Sequence, residues 1–468
     1  MQPSITSLKK EQYKGLLSDN NTVCTLELTV TTGFEEVACQ ECREKLEVEP
    51  SCHLGRIVFD IEIDKVPEAL KLRSVENIYV IVLVEENFPF SSEREDCFEK
   101  MYKLAGTPDW KKGIKVWQLV FGVEDSDIFE GEEELEGSYC TPKPEIDLKK
   151  MKKEKCIIAN LPQKNGNTVS TEKSTNTKKI ISETQRVGKG PKFRVTCERV
   201  GSIHVFGSSE AARQFGGGIN EKFGWPVDLK HHTLEVDLNI VENFVYVGLR
   251  LTMEPLFKRN VTQFGPTTLK STICYNMVKL AKPQPGDIVI DPMCGGCSLP
   301  IEGALTHTQC FYLGGDIVEV ATSRSRMNID NLVEKEKSLS ADTIRWDTTA
   351  LPLRDQVADV IICDLPFGKR MGSKIDNRVL YFKSLVELAR VTRLNTGRAV
   401  LLTYDKKSIS KSLFRVSSLW KNFSTRNINI GGLIAGVYLL QRTGLFSDSK
   451  LTEELKLKGK KRKLSTDE

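Results

Sequence analysis

A repeated alternation of strand and helix signals, running from residue 286 towards the C-terminus, constrains the fold more than any other feature of the sequence. Short apolar runs predict strands, separated by helical stretches or loops, at 287–291, 311–316, 343–346, 358–364 and 398–403. The last two predicted strands, 420–430 and 434–442, are separated only by residues 431–433, which predicts an antiparallel hairpin. Parallel strands followed by a terminal hairpin describe an α/β, Rossmann-like sheet. Ligands of such sheets bind beyond the carboxyl ends of the strands.

The region before this alternation predicts smaller α+β units. Residues 24–123 alternate between strand and helix signals and end in a predicted strand at 115–121. The stretch 124–190 has no sustained periodicity and is first acidic and then rich in Lys, Asn, Thr and Ser. We expect it to be an exposed, largely disordered insertion. Order resumes near residue 192, with a predicted helix at 208–223 and two further strands before residue 252.

Charge and cysteine usage bear on the cellular compartment. The thirteen cysteines are an odd number scattered along a long chain, which favours reduced thiols in the cytosol or the nucleus. The basic tail at 456–463 fits either a nuclear address or a solvated chain end. We expect a cytoplasmic protein, and entry into the nucleus is the alternative that the tail leaves open. The longest apolar run, 78–84, is too short to span a membrane, and no secretory signal is expected.

Two cysteine pairs, Cys39/Cys42 and Cys294/Cys297, have a spacing that also occurs in zinc sites. A zinc site needs a second pair of ligands, and Cys52-His53 lies near only the first pair. The first pair falls on one face of a predicted helix, which favours apolar packing. The chain contains only five histidines. We therefore expect no metal site.

The first three strands of the alternation each end in an aspartate. Asp291 precedes a loop of small residues, Pro292-Met293-Cys294-Gly295-Gly296-Cys297, which lets the backbone approach a ligand at a helix N-terminus. Asp316 is placed to accept hydrogen bonds from ribose hydroxyls, and Asp347 to meet an adenine amino group. The loop lacks the dinucleotide pattern and the lysine of a P-loop. The three acids predict a pocket for S-adenosyl-L-methionine; the alternative is that they only cap the helices that follow.

The fourth strand ends in Asp364-Leu365-Pro366-Phe367-Gly368, a pattern typical of methyltransferases that act on planar amino groups. The lone pair of such a nitrogen is delocalised, so acceptors that grip its N–H bonds make it a better nucleophile. We expect the Asp364 carboxylate and the carbonyl of Leu365 or Pro366 to serve as these acceptors. Phe367 is expected to stack on the base, which must leave its helix to arrive here. Lys369 and Arg370 are candidates for holding a phosphate or simply surface charges.

Four segments together resemble the THUMP-domain RNA guanosine-N2-methyltransferases. They are the segments 260–272, 291–295, 300–304 and 364–373, of which the last is the most specific. The resemblance covers about 24–447 except for the insertion. It implies a ferredoxin-like domain, a THUMP domain and a class I, Rossmann-like methyltransferase domain with a seven-stranded sheet. It divides the chain into a tail, a ferredoxin-like domain, the insertion, a THUMP domain, a methyltransferase domain and a basic tail, at 1–22, 23–123, 124–190, 191–255, 256–447 and 448–468.

The resemblance also implies an activity and partners. It implies methyl transfer to the 2-amino group of a guanosine in tRNA, at position 6 of the acceptor stem, and a small zinc-binding activator subunit. It implies that the THUMP region around 208–225, with Arg213, contacts the tRNA 3′ end. Two alternatives remain: a non-catalytic RNA-binding protein and the same chemistry on another RNA. Cys297 stands where the family loop has glycine, and a side chain there is expected to crowd the methionine part of the cofactor.

Overall fold

The residues that the structure describes form two seven-stranded sheets. The structure is a computed structural model and describes residues 9–17, 20–123, 190–335, 338–367 and 374–446. The insertion up to residue 189 and the basic tail 448–468 fall outside these residues. The predicted N-terminal tail 1–22 falls partly within them, and its described part contains a short helix at Lys14–Leu17 and the buried Tyr13. No helix in the described ranges is both long and apolar enough to cross a membrane.

The first sheet joins two stretches of chain that are far apart in sequence. Its strands are β1 (Val23–Thr29), β2 (Ser51–His53), β3 (Arg56–Glu62), β4 (Asn77–Glu85), β5 (Phe193–Val200), β6 (Leu234–Val241) and β7 (Phe244–Arg250). Their order is β2-β3-β1-β4-β7-β6-β5. The central pairing of β4 with β7 is antiparallel and sets Tyr79 opposite Arg250. The predicted ferredoxin-like and THUMP regions therefore share one sheet, and the proposed boundary between them stays a prediction.

One of the helices that accompany this sheet forms where the sequence predicted a strand. They are α1 (Lys14–Leu17), α2 (Glu35–Leu46), α3 (Val66–Ala69), α4 (Arg94–Leu104), α5 (Trp110–Phe121) and α6 (Ser208–Phe223). The predicted strand at 115–121 is the second half of α5. Asp109 caps this helix by accepting from the Lys112 amide, and Gly122 ends it in a left-handed conformation. Trp110, Ile114 and Trp117 form its buried face at helical spacing.

The second sheet confirms the predicted parallel order and the terminal hairpin. Its strands are β8 (Ile288–Asp291), β9 (Phe311–Asp316), β10 (Ala341–Arg345), β11 (Val360–Asp364), β12 (Arg398–Thr403), β13 (Trp420–Ile430) and β14 (Leu433–Arg442). Their order is β10-β9-β8-β11-β12-β14-β13, with parallel pairing from β10 to β12 and an antiparallel hairpin after it. From β8 the chain first adds strands on one side of the sheet, as β9 and β10, and then on the other side, beginning with β11. A ligand site is expected where this order switches, at the carboxyl ends of β8 and β11.

In the described part of the chain, five helices accompany the second sheet and connect to its strands through loops. They are α7 (Ser271–Ala281), α8 (Ser298–Thr306), α9 (Glu319–Glu334), α10 (Lys374–Val391) and α11 (Lys406–Arg415). One large apolar cluster contains core residues from both sheets, including Ile57 and Val80 from the first and Val289 and Val400 from the second. The two sheets thus share one large core, and each also has a smaller apolar cluster of its own.

One pair of cysteines forms a disulfide, whereas the sequence predicted reduced thiols. Cys39 on α2 and Cys52 on β2 are joined, because α2 packs beside β2. Nine other cysteines of the described ranges are free, including Cys294 and Cys297. No group of three or more His, Cys, Asp or Glu residues in the described part of the chain is arranged to hold a metal ion.

Candidate functional site

The carboxyl ends of β8, β9 and β11 open into one cavity of about 340 Å³. Nine of the predicted site residues line it: Asp291, Pro292, Gly295, Gly296, Asp316, Asp347, Asp364, Pro366 and Phe367. Lys369 and Arg370 lie outside the described residues. Arg213 is exposed on α6 and does not line the cavity. The roles predicted for all these residues stay predictions, but the fold does bring the first nine together.

Each of the first three strand-end aspartates shapes the turn that follows its own strand. Asp291, Asp316 and Asp347 each accept a hydrogen bond from the backbone N–H two residues further on, at 3.2, 2.9 and 2.8 Å. These N–H groups belong to the turns, and the N-caps of α8 and α9 are Cys297 and Val318, so Asp291 and Asp316 do not cap the helices that follow. A carboxylate has two oxygens and several lone pairs, so the same residues retain acceptor capacity towards the cavity that they line.

The second oxygen of Asp316 ties two neighbouring strand ends together. It accepts from the amide of Gly295 at 3.1 Å, which links the end of β9 to the glycine loop after β8. Asp316 is 8% exposed, whereas Asp347 is exposed at the rim of the cavity. Two backbone donors thus fix the orientation of the Asp316 carboxylate. A side chain that presents an acceptor to a ligand needs such a fixed orientation.

Carboxyl groups are concentrated at the floor of the cavity. Burial raises the pKa of Asp291 well above its usual value, and the nearby Cys294, Asp364 and Asp316 raise this pKa further. Burial also raises the pKa of Asp364 to about 7. Both shifts arise first from burial, which removes the water that would solvate the ionised forms. A ligand that carries positive charge, as a sulfonium does, would stabilise both ionised forms.

The glycine loop contains two residues in the left-handed conformation, and they face opposite directions. Gly295 has φ 57° and lines the cavity, with no atom within 4 Å of the place where a Cβ would lie. Cys297 has φ 66° and is fully buried among Cys294, Ile301 and Ile329. Its side chain does not belong to the cavity wall. The expectation that Cys297 crowds the cofactor is therefore wrong, because the local backbone turns the sulfur into the core beneath α8 and α9.

The acceptor end of the cavity is formed by the loop after β11. The Oδ1 atom of Asp364 is buried and has no hydrogen-bond partner among the described residues. The Pro366 carbonyl accepts from the Tyr381 hydroxyl, and the Leu365 amide donates to Leu402 O at 2.8 Å. No described group donates to the Leu365 carbonyl, so this carbonyl is the better candidate for the second acceptor. The ring of Phe367 lies 4.5 Å from that of Tyr404.

Four buried polar atoms without protein partners in the described ranges meet in this one cavity. They are Asp364 Oδ1, Arg324 Nε, Thr348 Oγ1 and Asn377 Nδ2. Buried polar atoms are seldom left unpaired in folded proteins, so their convergence indicates a polar ligand. Together with the strand-end acids they offer donors and acceptors, which fits S-adenosyl-L-methionine with its hydroxyl, amino, carboxylate and sulfonium groups.

Three of these residues, Thr348, Arg324 and Asn377, are not among the site residues predicted from the sequence. Thr348 directly follows Asp347 at a predicted strand end, and this position is the signal that could have identified it. Arg324 and Asn377 lie inside helices α9 and α10. Nothing in their local sequence distinguishes them from the other polar residues of a solvated helix face.

A further wall of the cavity comes from the segment 262–269, which precedes α7. Asn328 of α9 attaches this segment to the glycine loop: its Oδ1 accepts from the amides of Thr262 and Gln263, at 3.1 and 2.8 Å. Its Nδ2 donates to Gln263 O at 3.1 Å and to Gly296 O at 2.9 Å. Asn328 thereby uses its whole amide to join two walls of the site.

The glycine run at 216–218 has a packing role. All three residues lie within α6, and a Cβ on Gly218 would come within 2.3 Å of the Tyr102 carbonyl oxygen and 2.7 Å of the Ala105 Cβ. α6 can therefore lie close to α4 only because this position lacks a side chain. The predicted contact of this region with the tRNA 3′ end stays a prediction.

The fold and the cavity together define a class I methyltransferase that uses S-adenosyl-L-methionine. A family model described as "RMKL-like, methyltransferase domain" matches residues 259–435, and a THUMP domain model matches residues 174–250. The chain belongs to the family of THUMP-domain guanosine-N2-methyltransferases, which confirms the resemblance seen in the sequence.

Two relatives support this assignment, and a solved structure shares the fold. The chain is 39% identical to "tRNA (guanine(6)-N(2))-methyltransferase THUMP3" of Bos taurus, over 90% of this chain and 88% of the relative. It is 38% identical to the protein of the same name from Homo sapiens, over 91% and 90% of the two chains. The crystal structure of TrmN from Thermus thermophilus is similar in fold, with a TM-score of 0.63 and 20% identity over 89% of this chain and 99% of that chain.

Proposed function

We propose that this protein methylates the exocyclic N2 amino group of a guanosine in tRNA, at position 6 of the acceptor stem. The observation that carries this proposal is the buried, unpartnered Oδ1 of Asp364, which lies in the wall of the cavity that holds the cofactor. Relatives with 38–39% identity bear the name tRNA (guanine(6)-N(2))-methyltransferase, whereas a relative named "U6 snRNA (guanine-N(2))-methyltransferase THUMPD2" is 25% identical. This difference favours tRNA over another RNA.

The chemistry of the proposed reaction suits the groups at the acceptor end. Asp364 and the Leu365 carbonyl would accept the two N–H bonds of the guanine amino group and favour a pyramidal nitrogen. Phe367, held beside Tyr404, offers a ring face to the base. Asp316 and Asp347 would hold the ribose and the adenine of S-adenosyl-L-methionine, which supplies an activated methyl group. No histidine or lysine base is required in this arrangement.

A surface of the second sheet supports a protein partner. β10 is an edge strand, and it carries the exposed Ile344 beside α9, which is attached to it by the ion pair of Arg326 with Asp342. Val320 and Met327 of α9 are also exposed, at 64% and 53%. A free strand edge next to apolar side chains is a site where another chain can add a strand. We assign this edge to the small zinc-binding activator subunit.

The partner assignment has a direct test. Ile344→Asp should reduce the amount of activator that copurifies with the full chain. Phe414→Asp, at an 82% exposed residue of α11, is the matched control and should have no effect. Equal copurification with both variants would remove the β10 edge as the docking surface. We also propose that the protein resides in the cytoplasm. Microscopy of the tagged full chain would test this and would show whether the protein also enters the nucleus.

Nucleoside mass spectrometry of tRNA from cells with and without the protein tests the proposed activity. We expect loss of N2-methylguanosine at position 6, restored by the wild-type chain and not by Asp364→Asn. Restoration by Asp364→Asn would instead indicate a non-catalytic RNA-binding protein. If tRNA is unchanged and N2-methylguanosine is lost from another RNA, the chemistry stands but the substrate assignment fails.

A further inference from the structure

Arg324 is the only basic residue among the described residues that line the cofactor cavity, where the other charged residues are Asp291, Asp316, Asp347 and Asp364. It lies on α9 and is half-buried, and its Nε is buried. No described carboxylate pairs with this guanidinium, and no described acceptor receives a hydrogen bond from it. A guanidinium N–H that is buried without an acceptor is costly, so this arrangement indicates that a ligand supplies the acceptor.

The backbone opposite Arg324 leaves room for the guanidinium. A Cβ on Gly265 would lie 3.2 Å from the Arg324 Cζ and Nη2 atoms, so any larger residue at this position would press on the guanidinium. Gly265 belongs to the segment that Asn328 holds against the glycine loop. The head of Arg324 is therefore enclosed between α9 and this segment.

The neighbours of Arg324 on α9 connect it to the part of the site that faces the cofactor. Ser325 Oγ donates to Gly295 O at 3.0 Å, and Asn328 Nδ2 donates to Gly296 O at 2.9 Å. Arg324 is thus held next to the loop that must lie against the cofactor. A phosphate on the outside of the protein could not reach the buried Nε, whereas a group inside the cavity could.

We propose that Arg324 is the receptor for the α-carboxylate of S-adenosyl-L-methionine. The cofactor carries a sulfonium, an ammonium and a carboxylate, and the four cavity aspartates can attract only the first two. A guanidinium binds a carboxylate through two parallel hydrogen bonds, for which an ammonium or an amide is a poorer substitute. The inference depends on the cofactor and does not depend on which RNA is methylated.

The test compares two cofactors that differ only in the carboxylate. The full-length chain is titrated calorimetrically with S-adenosyl-L-methionine and with its decarboxylated form, as wild type and as Arg324→Gln. We expect the substitution to weaken binding of S-adenosyl-L-methionine by about 10- to 100-fold, the usual range for a charge-assisted hydrogen bond. Binding of the decarboxylated form should change by less than about threefold, and Arg324→Lys should recover part of the loss.

Arg326→Gln is the matched control, because Arg326 is two residues away on the same helix but pairs with Asp342 at the surface. It should leave both affinities unchanged. The melting temperature of each variant shows whether it is folded, and Arg324→Lys serves if Arg324→Gln is not. An equal loss of affinity for both cofactors would overturn the proposal in favour of a structural role. Unchanged cofactor affinity with weakened tRNA binding, measured separately by fluorescence anisotropy, would overturn it in favour of phosphate recognition.

Discussion

At the scale of single residues, Asp364 shows how a site can reduce stability in return for reactivity. Its pKa is raised to about 7 by burial, so the folded state binds a proton that the unfolded state releases near pH 4. Stability therefore falls as pH rises between these two pKa values, and the loss persists above them. The ionised form, in which Asp364 can act only as an acceptor, dominates only above about pH 7.

Asp364→Asn should lower the rate of methyl transfer by about 10²–10³-fold, because it replaces one acceptor of the amino group by a donor. The free energy of unfolding of the variant minus that of wild type should be about 1–3 kcal/mol larger at pH 8 than at pH 5, because only wild type loses stability over this range. Denaturant titrations at the two pH values measure this change. Stability differences that are equal at both pH values would show that Asp364 does not titrate in this range.

The glycine loop provides a matched pair of substitutions. Cys297→Gly relieves a left-handed conformation, worth about 1 kcal/mol, and loses the packing of a buried sulfur of similar value. We expect the dissociation constant for the cofactor to change by less than about twofold. Gly295→Ala places a methyl group into the cavity at φ 57° and should weaken cofactor binding at least about tenfold. Calorimetric titration of both variants decides whether Cys297 faces the core.

At the scale of secondary structure elements, α9 holds together walls of the site that come from different parts of the chain. Its residues Ser325 and Asn328 contact the glycine loop, and Asn328 also binds the segment 262–269. A helix can do this because residues three and four positions apart lie on one face. The helix therefore positions loops that have no regular structure of their own.

Asn328→Ala should weaken cofactor binding by about tenfold or more and lower the free energy of unfolding by about 2–4 kcal/mol, since it leaves buried backbone groups unpaired. Asn331→Ala is the control: Asn331 lies on the same helix and makes one exposed hydrogen bond to Thr262 Oγ1 at 2.8 Å. The cofactor affinity should be measured well below the melting temperature of the variant. Stability loss with unchanged affinity would mean that the clamp is structural and does not position the site.

At the scale of the whole molecule, a buried ion pair connects the two sheets. Arg73, between α3 and β4, donates to Glu302 of α8 at 2.6 Å, and Glu302 also accepts from Asn260 at 2.8 Å. Glu302 is fully buried. Arg259 donates to the carbonyls of Leu72 and Arg73, at 3.0 and 2.8 Å. The first sheet is thereby held in one position relative to the cofactor cavity.

Glu302→Ala should destabilise the protein by about 3–5 kcal/mol, because it leaves the Arg73 guanidinium buried without its partner. The more exposed pair of Lys279 with Glu44 also joins the two halves, so Lys279→Met is the control, with an expected cost below about 1 kcal/mol. Scanning calorimetry of the Glu302→Ala chain should show the unfolding of the two sheets beginning to separate. A single transition as cooperative as that of wild type would show that the apolar core alone couples the two sheets.

The sequence by itself determined the second sheet and the place of its site. Parallel strands bring their carboxyl ends to one edge of the sheet. The strand and helix alternation therefore places the acids at 291, 316, 347 and 364 close together. The hairpin followed from the same logic, because residues 431–433 are too few to cross over the sheet. The family resemblance added the chemistry that the spacing could not supply.

The tertiary structure alone decided the rest, because the deciding contacts are made between residues far apart in sequence. The apolar run at 115–121 suits a strand or a helix, and the packing of α5 selects the helix. No local signal pairs β4 with β7 across some 160 residues, or turns Arg324 and Asn377 towards the cavity. The direction of the Cys297 side chain likewise depends on a left-handed backbone residue that the core beneath the loop holds in place.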